Sequence, residues 1–582
     1  MHITHKSSEN SDNANDNLRS ESVKKVDQSK ADDASTTRRH WQSSYGNIPR
    51  EIDAGAYSSV VEMMEQAMQR YADLPAMRCA GQTLSYADID RLSRNFAAFL
   101  QHRSGVKKGD RIAVMSPNLL AFPIAFLGII RAGAIQVNVN PLYTPRELEH
   151  QLNDAGVETI VVFNGVSGTV AEVISQTALK SVITIAVGDG SGVDLPGPPV
   201  DARLDRSFTF ASALAEGATM PFIPAQIKPD DILFLQYTGG TTGLSKGAML
   251  SHRNLVANCE QFKAFMPGAV RAGQETIVTA LPLYHIFALM VNFIAYFSVG
   301  ADNWLVTNPR DVDSIIDTLI NARPTIFTGV NTLFAGLVAH PRIKEVDWCR
   351  LRLAAGGGAA VMGAVSDKWK ALTGTFIREG YGLSETGPIL SFNPDSVQRF
   401  TGTTGLPMPS TDIKLLDDSD READIGVAGE ICAKGPQVMQ GYWRQPDANT
   451  AAFTADGYFR TGDIGSFDEN GFLKIVDRKK DMIIVSGFNV YPNEIEAVVA
   501  GYPGVIECAC VGLPDEKTGE AVTLYVVRGA DAAFNEDDVI AHCRRKLTAY
   551  KIPKRVCFTP SLPKSTVGKI LRRELRELTS SH

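Results

Sequence analysis

The chain has no pair of Cys-x-x-Cys units and no Cys/His cluster with the spacing of a zinc site. Its eight cysteines, Cys79, Cys259, Cys349, Cys432, Cys508, Cys510, Cys543 and Cys557, are spread thinly. Cys508 and Cys510 share one face of a strand-like run and read as core packing. A disulfide framework is therefore not expected, and scattered unpaired thiols suit a reducing compartment. An excess of basic charge is also lacking. Lys plus Arg number 58 against 65 Asp plus Glu, a net charge of −7. That argues against a nucleic-acid protein held by a global basic field, though a local basic patch stays open. The first 44 residues contain no apolar run of signal-peptide length. Their seven basic and seven acidic side chains cancel, and large apolar residues are few, so a disordered tail is expected. No internal repeat is visible.

Only one stretch is long and uncharged. Thr276 to Ala301 exceeds the roughly 20 apolar residues that span a bilayer. It is interrupted by Pro282, Tyr284, His285, Asn292 and Gly300, and it opens with the strand-like Ile277-Val278-Thr279-Ala280-Leu281-Pro282. A buried strand, turn and helix is the expectation, with a membrane transport protein as the alternative it leaves.

What is present is ordinary globular composition, 44% hydrophobic and 21% charged, over 582 residues. That length corresponds to about four compact units at roughly 150 residues each. Helical spacing runs through 57–71 and 86–103, the second with Ser85 as a cap. Arg111 to Met115 and Val157 to Phe163 read as buried strands. Strands and helices then alternate to about residue 400, which predicts α/β architecture with largely parallel sheets. Short strands with Gly/Asp turns follow to about 476 and predict a small β-subdomain. Beyond the charged cluster Asp477-Arg478-Lys479-Lys480-Asp481, helices at 494–500 and 536–547 and strands at 505–512 and 521–528 predict a separate α+β domain. The expected divisions are a 1–44 tail, a 45–476 N-terminal domain of two α/β sheets plus the β-subdomain, a 477–481 hinge, and a smaller mobile 482–582 C-terminal domain.

The chemistry is carried first by one loop. Strand-like Ile232 to Gln236 leads into Tyr237-Thr238-Gly239-Gly240-Thr241-Thr242-Gly243-Leu244-Ser245-Lys246-Gly247-Ala248. The glycines let the backbone approach a polyanion and expose successive N–H groups, while hydroxyls and one ammonium add donors. No Gly-Lys-Ser/Thr triplet occurs, so this is a phosphate cradle but not a Walker A loop.

This loop resembles the signature of the adenylate-forming superfamily, which includes acyl-CoA synthetases, adenylation domains and luciferases. Six further motifs follow in the same order: Leu281-Pro282-Leu283-Tyr284-His285, Ala355-Gly356-Gly357-Gly358-Ala359, Tyr381-Gly382-Leu383-Ser384-Glu385-Thr386, Tyr458-Phe459-Arg460-Thr461-Gly462-Asp463, the 477–481 cluster, and Pro563-Lys564-Ser565-Thr566-Val567-Gly568-Lys569. The phrases Asn140 to Leu148 and Ser486-Gly487-Phe488-Asn489-Val490-Tyr491-Pro492 resemble bacterial long-chain fatty acyl-CoA synthetases most closely.

The resemblance implies ATP, CoA and a fatty acid as substrates. A carboxylate attacks the α-phosphate to give acyl-AMP and pyrophosphate, and CoA then displaces AMP. It implies that Glu385 and Thr238 hold Mg²⁺, for which a carboxylate and a hydroxyl are suitable hard ligands. Tyr237, Thr238, Gly239, Gly240, Thr241, Thr242, Gly243, Ser245 and Lys246 would cradle the phosphates. Gly357, Gly358, Tyr381, Gly382, Ser384 and Thr386 would bind the nucleotide, Tyr381 stacking on adenine and the glycines lying against the base and acyl group, and Asp463 and Arg478 would reach the ribose. Lys569 matches the adenylation lysine, and with Glu385, Lys246 and His285 completes the catalytic set. His285 would form a wall between acyl and phosphate sites; alone, such a residue is more often a satisfied core histidine. Lys480 matches the hinge. Ser486, Gly487 and Phe488 would line a CoA passage, and Phe287, Leu289, Met290 and Phe293 an acyl tunnel.

Two departures bear on the acid. Tyr458-Phe459 stand where many relatives have Trp-Leu, and Leu289 stands where some long-chain members carry a gating Trp. A medium-chain or aryl acid therefore remains open beside a long-chain fatty acid, and a luciferase-like oxygenase, which shares every ATP motif, is a further alternative. A cytoplasmic location follows, with peripheral contact at the inner membrane face compatible with a substrate that partitions into lipid; a homodimer is open.

Overall fold

The computed structural model describes residues 39–238, 245–529, 532–565 and 568–579. Two large sheets form the N-terminal region. One has seven strands in the order Phe208–Thr209, Ser181–Ile185, Thr159–Phe163, Arg111–Met115, Ile135–Asn138, Ile232–Thr238 and Lys246–Ser251, all parallel but the last. The other has nine, with a parallel centre of Ile377–Gly382, Leu353–Gly356, Ile326–Gly329, Thr276–Thr279, Asp302–Leu305 and Pro75–Cys79, and antiparallel strands at both ends. Central parallel strands such as Thr159–Phe163, Ile326–Gly329 and Leu353–Gly356 are almost wholly buried because both faces are covered. Leu119 to Ile130 supplies such a cover: Ala121–Arg131 is a helix with every residue buried. The two sheets share one core, in which Phe126 stacks on Phe234 from the first and meets Phe293 from beside the second.

The helix expected over 86–103 spans Tyr86–His102, and Ser85 caps it by accepting the Asp88 N–H while the Asp88 carboxylate reaches back. The helix expected over 57–71 is Val60–Arg70, capped by Ser59. In the C-terminal region, Glu536–Arg544 ends three residues before the expected limit.

The uncharged stretch is the expected strand, turn and helix. Thr276–Thr279 is a central strand, and Ala288–Ala295 is a π-helix continued by the α-helical turn Tyr296–Ser298. Among the described residues no helix is long and apolar enough to cross a membrane.

A four-stranded antiparallel sheet (Asp412–Leu416, Gly429–Lys434, Phe459–Phe467, Leu473–Arg478) forms the β-subdomain. The chain then passes between 479 and 482 into the C-terminal sheet of Ile483–Val485, Phe488–Val490, Val505–Asp515, Gly519–Arg528 and Arg555–Phe558. The crossing falls within the charged cluster.

The tail expected over 1–44 is too long at its C-terminal end. Residues 1–38 lie outside the described residues, but His40–Ser44 forms a 3₁₀ turn packed on the β-subdomain. Trp41 is 1% exposed and stacks on Phe467 with ring centroids 5.2 Å apart. Gly471 lies beneath it with φ +80°, and a Cβ there would meet Trp41 at 2.3 Å. The polar average over 1–44 concealed one indole whose burial is enough to fix the turn. Trp41→Ala is expected to destabilise the chain by about 3–5 kcal/mol through the cavity it leaves, read as a lower denaturant midpoint.

Candidate active site

In open α/β sheets ligands bind beyond the carboxyl ends of the strands. Three such ends carry expected site residues: Thr238, Gly356 and Gly382 each close a strand. Thr238 pairs across the antiparallel hairpin with Lys246, so the two ends of the Gly/Thr loop are pinned together. The His150 ring nitrogen lies 3.1 Å from the Ser245 carbonyl beside them. Gly239, Gly240, Thr241, Thr242 and Gly243 lie outside the described residues. Tyr237 is buried and donates its hydroxyl to Asp154 at 2.5 Å, so it supports the loop from below.

Glu385 sits in the 3₁₀ turn Ser384–Thr386 and is buried. Burial pushes its carboxyl up; the Tyr442 hydroxyl, donating to Oε1 at 2.9 Å, and the Arg478 charge oppose that rise. Tyr442 also offers its ring to the Lys246 ammonium, 5.3 Å from the centroid. One aromatic ring thus spans the phosphate-loop lysine and the expected metal ligand. Sequence reading missed Tyr442 because Gly441-Tyr442-Trp443 reads as an ordinary aromatic turn. Thr386 behaves differently from its expected place at the nucleotide: its hydroxyl donates to the Pro388 carbonyl at 2.6 Å and accepts the Leu383 N–H. Its polar capacity is used within the turn. Gly382 is required there, because a Cβ would lie 1.7 Å from the Pro388 carbonyl oxygen.

Tyr381 and Asp463 are brought together from residues 82 apart, the phenol donating to Asp463 Oδ2 at 2.8 Å. Asp463 is the register partner of Arg478, whose Nε is 3.6 Å from Oδ1. Antiparallel pairing therefore delivers the expected ribose pair side by side. Gly357 and Gly358 follow the strand end, Gly358 at φ +76°, and Phe287 lies against Gly357, where a Cβ would meet its ring at 3.2 Å.

Lys569 reaches this group from the C-terminal domain. The turn that carries it is closed by Ser565, whose N–H donates to the Lys569 carbonyl at 2.7 Å and whose Oγ accepts the Lys569 N–H at 3.1 Å. It docks where Thr332 donates to the Gly568 carbonyl at 3.3 Å. Burial lowers the Lys569 ammonium to about 7, helped by the Arg478 charge and opposed by Asp463. His285 is lowered to about 4, by burial first and by Lys569 second, so it is neutral here. Lys480 is lowered by burial and Arg478, with Asp481, Asp463 and Glu385 opposing; its ammonium faces the same group as Lys569. Ser486, at φ +51°, and Gly487, at φ +83°, turn a hairpin of the C-terminal sheet. Phe488 on it is exposed and stacks on Tyr550, 4.7 Å between centroids. Of the four expected tunnel residues, only Phe287 is partly exposed; Leu289, Met290 and Phe293 are fully buried in the shared core.

The donors fit a magnesium ion held mainly by phosphates. A carboxylate and a hydroxyl are its preferred ligand types, and it normally takes only one or two from protein. Among the described residues no group of three or more His, Cys, Asp or Glu could hold a metal ion.

A two-sheet N-terminal region whose strand ends carry Thr238, Tyr381 and Glu385, met by a lysine from a second domain, defines a class. Residues 64–443 match the AMP-binding enzyme family and residues 494–569 the AMP-binding enzyme C-terminal domain; the chain belongs to this family. It is 49% identical over 552 residues to the long-chain-fatty-acid–CoA ligase of Salmonella typhimurium, covering 93% of this chain and 98% of that one. It is 34% identical to the feruloyl-CoA synthase of an Amycolatopsis species, covering 86% and 95%. Among solved structures, ATP-bound MatB from Rhodopseudomonas palustris is similar with a TM-score of 0.77 at 30% identity, covering 89% of this chain and 98% of that one.

One further side chain was not expected from sequence. Glu379, two residues before Tyr381, is buried; its Oε1 accepts the Val361 N–H at 3.0 Å, and its Oε2 has no hydrogen-bond partner. Burial raises its carboxyl to about 8, so it is a neutral acid at pH 7, clamping the far end of the glycine loop. The folded state then keeps a proton that the unfolded chain, with an ordinary value of 4.5, releases. Stability is expected to fall as pH rises from about 4.5 to about 8, by about 1.4 kcal/mol for each pH unit. Glu379→Gln should lack that fall, so its advantage in Tm over the wild type should widen between pH 5 and pH 8.

Proposed function

We propose that the chain is an ATP-dependent fatty acid:CoA ligase that forms acyl-AMP and pyrophosphate, then acyl-CoA and AMP, at one site. The observation that carries this reading is the lodging of Lys569, from one domain, beside Asp463, Arg478 and His285 of the other. Near-half identity over almost the whole length to a long-chain-fatty-acid–CoA ligase favours a fatty acid. The lower identity to a feruloyl-CoA synthase makes an aryl acid the lesser alternative.

In the first half, the acid's carboxylate attacks the α-phosphorus and the bond to pyrophosphate breaks. Negative charge then builds on the phosphoryl oxygens, where Lys569 and the Gly/Thr loop supply fixed donors. Asp463, oriented by Tyr381 and Arg478, accepts from the ribose hydroxyls. Glu385 and Thr238 would hold Mg²⁺, which supplies charge neutralisation on the phosphates when bound. Tyr442 keeps the Glu385 carboxylate in place beside Lys246. Neutral His285, with Phe287 next to Gly357, walls the acyl group from water. In the second half, Lys569 must leave so that a thiol can reach the acyl carbon. Lys480, at the crossing between the sheets, is the place for that rotation, and Ser486, Gly487 and Phe488 border the passage it opens.

The deciding experiment is a CoA-dependent AMP-release assay across acids from acetate to oleate. Turnover rising with chain length is the expected result; no AMP release with any fatty acid would end the reading. Lys569→Ala should lower acyl-AMP formation at least 100-fold while sparing thioester formation from supplied acyl-AMP. Single-turnover measurement of each half-reaction checks this, because steady-state rates would mix them.

A further inference from the structure

The helix that leaves His285 for the interior is unusual. Eight successive residues, Ala288–Ala295, are π-helical, and all of them are buried. The π-helix is rare and is found mostly as single turns, frequently at functional sites. Its surroundings are apolar except at one point. Asn292, wholly buried, donates from Nδ2 to Thr279 Oγ1 at 3.1 Å and accepts at Oδ1 from Thr328 Oγ1 at 2.9 Å. Thr279 in turn donates to Asn303 Oδ1 at 2.7 Å, and Asn303 Nδ2 donates back to the Asn292 carbonyl at 2.8 Å. Thr279, Asn303 and Thr328 stand on three adjacent central strands, Thr276–Thr279, Asp302–Leu305 and Ile326–Gly329.

The cluster closes on itself, with each of its four side chains bonded to another member, in a buried interior. Such networks rigidify one arrangement, because every alternative leaves a polar group unpaired. Asn118 makes a second pin. It donates to the Thr279 and Leu281 carbonyls at 3.1 and 3.0 Å and accepts the Leu283 N–H at 2.8 Å. The segment carrying His285 and Phe287 is therefore held at both ends. Leu289 and Met290 lie between the pins, and Phe293, edge-on to Phe126 and Phe297, lies one residue past Asn292.

We propose that Asn292 is a specificity-determining positioning residue, whose ring of hydrogen bonds to Thr279, Asn303 and Thr328 fixes where Leu289, Met290 and Phe293 stand and so sets the acyl length accepted. This rests on the fatty acid ligase reading. Because those three side chains fill the core, a long chain is seated only by displacing them. Displacements that leave Asn292 in place break no polar bond and are the ones the fold permits. A short acid, ending near His285 and Phe287, does not call on the pin.

The test compares hexadecanoate with hexanoate in Thr328→Val, which removes only the bond to Asn292 Oδ1, and in the double variant Asn292→Leu/Thr328→Val, which replaces both partners by apolar groups. Circular dichroism and Tm identify the folded variants. The expected result is at least a tenfold rise in the ratio of kcat/KM for hexadecanoate over hexanoate, because displacements the pin forbids become open, with hexanoate turnover within twofold of wild type; a fall would overturn the proposal. An unchanged ratio in a folded variant, or equal losses on both acids, would overturn the proposal, since a merely structural role moves both together. Absence of AMP release from the wild type with either acid would instead overturn the ligase reading itself.

Discussion

One ammonium has to be brought into a cleft that already holds two other cations. Burial disfavours the Lys569 ammonium most, the Arg478 and Lys480 charges add to that, and Asp463 opposes them. A polyphosphate and a carboxylate would add negative charge beside these cations. Under the ligase reading this balance of charges serves both halves of the reaction. Bound phosphates would favour the charged form of the lysine already lodged there, and loss of pyrophosphate would weaken its hold.

The rest of the C-terminal domain is built to carry that side chain. Three residues beyond Lys569, Arg572 donates to both oxygens of Glu496 and to Asn493 Oδ1. Arg576 reaches Asp481 within the crossing. Asp477, raised to about 6 by burial with Arg572 opposing, accepts the Asn493 and Arg478 N–H groups from the other side. Buried charges like these are retained only when each has its partner, and removing one strands the others. The lysine-bearing segment, the helix Pro492–Ala500 and the crossing are thus one connected polar unit.

The N-terminal region uses polar pins in a different way. Its sheets are joined by apolar packing, which is strong but tolerant of sliding. Single amides then set the register between elements. Asn258 bonds the N–H and the carbonyl of Ile389, and Asn254 bonds the Pro436 and Val438 carbonyls. Asn118 and Asn292 do the same beside His285. The glycine loop is held likewise, by the neutral Glu379 on Val361.

Much of this was legible in the residues. Alternation of apolar runs with capped amphipathic segments determined the α/β architecture, because period and capping are local properties. The interrupted 276–301 stretch read correctly as strand, turn and helix for the same reason. Motif order placed Thr238, Glu385, Tyr381, Asp463, Arg478 and Lys569 in one class of site. Tertiary structure alone decided the rest. That Trp41 belongs to the fold and that Tyr442 spans Lys246 and Glu385 depend on partners tens to hundreds of residues away, whereas Thr386 spends its hydroxyl on Leu383 and Pro388 in a turn whose geometry the motif did not reveal. Nothing local distinguishes a buried Glu379 or Asn292 from a solvated one. Their protonation and hydrogen bonding follow from removal of water, and water is removed only when distant segments pack over them.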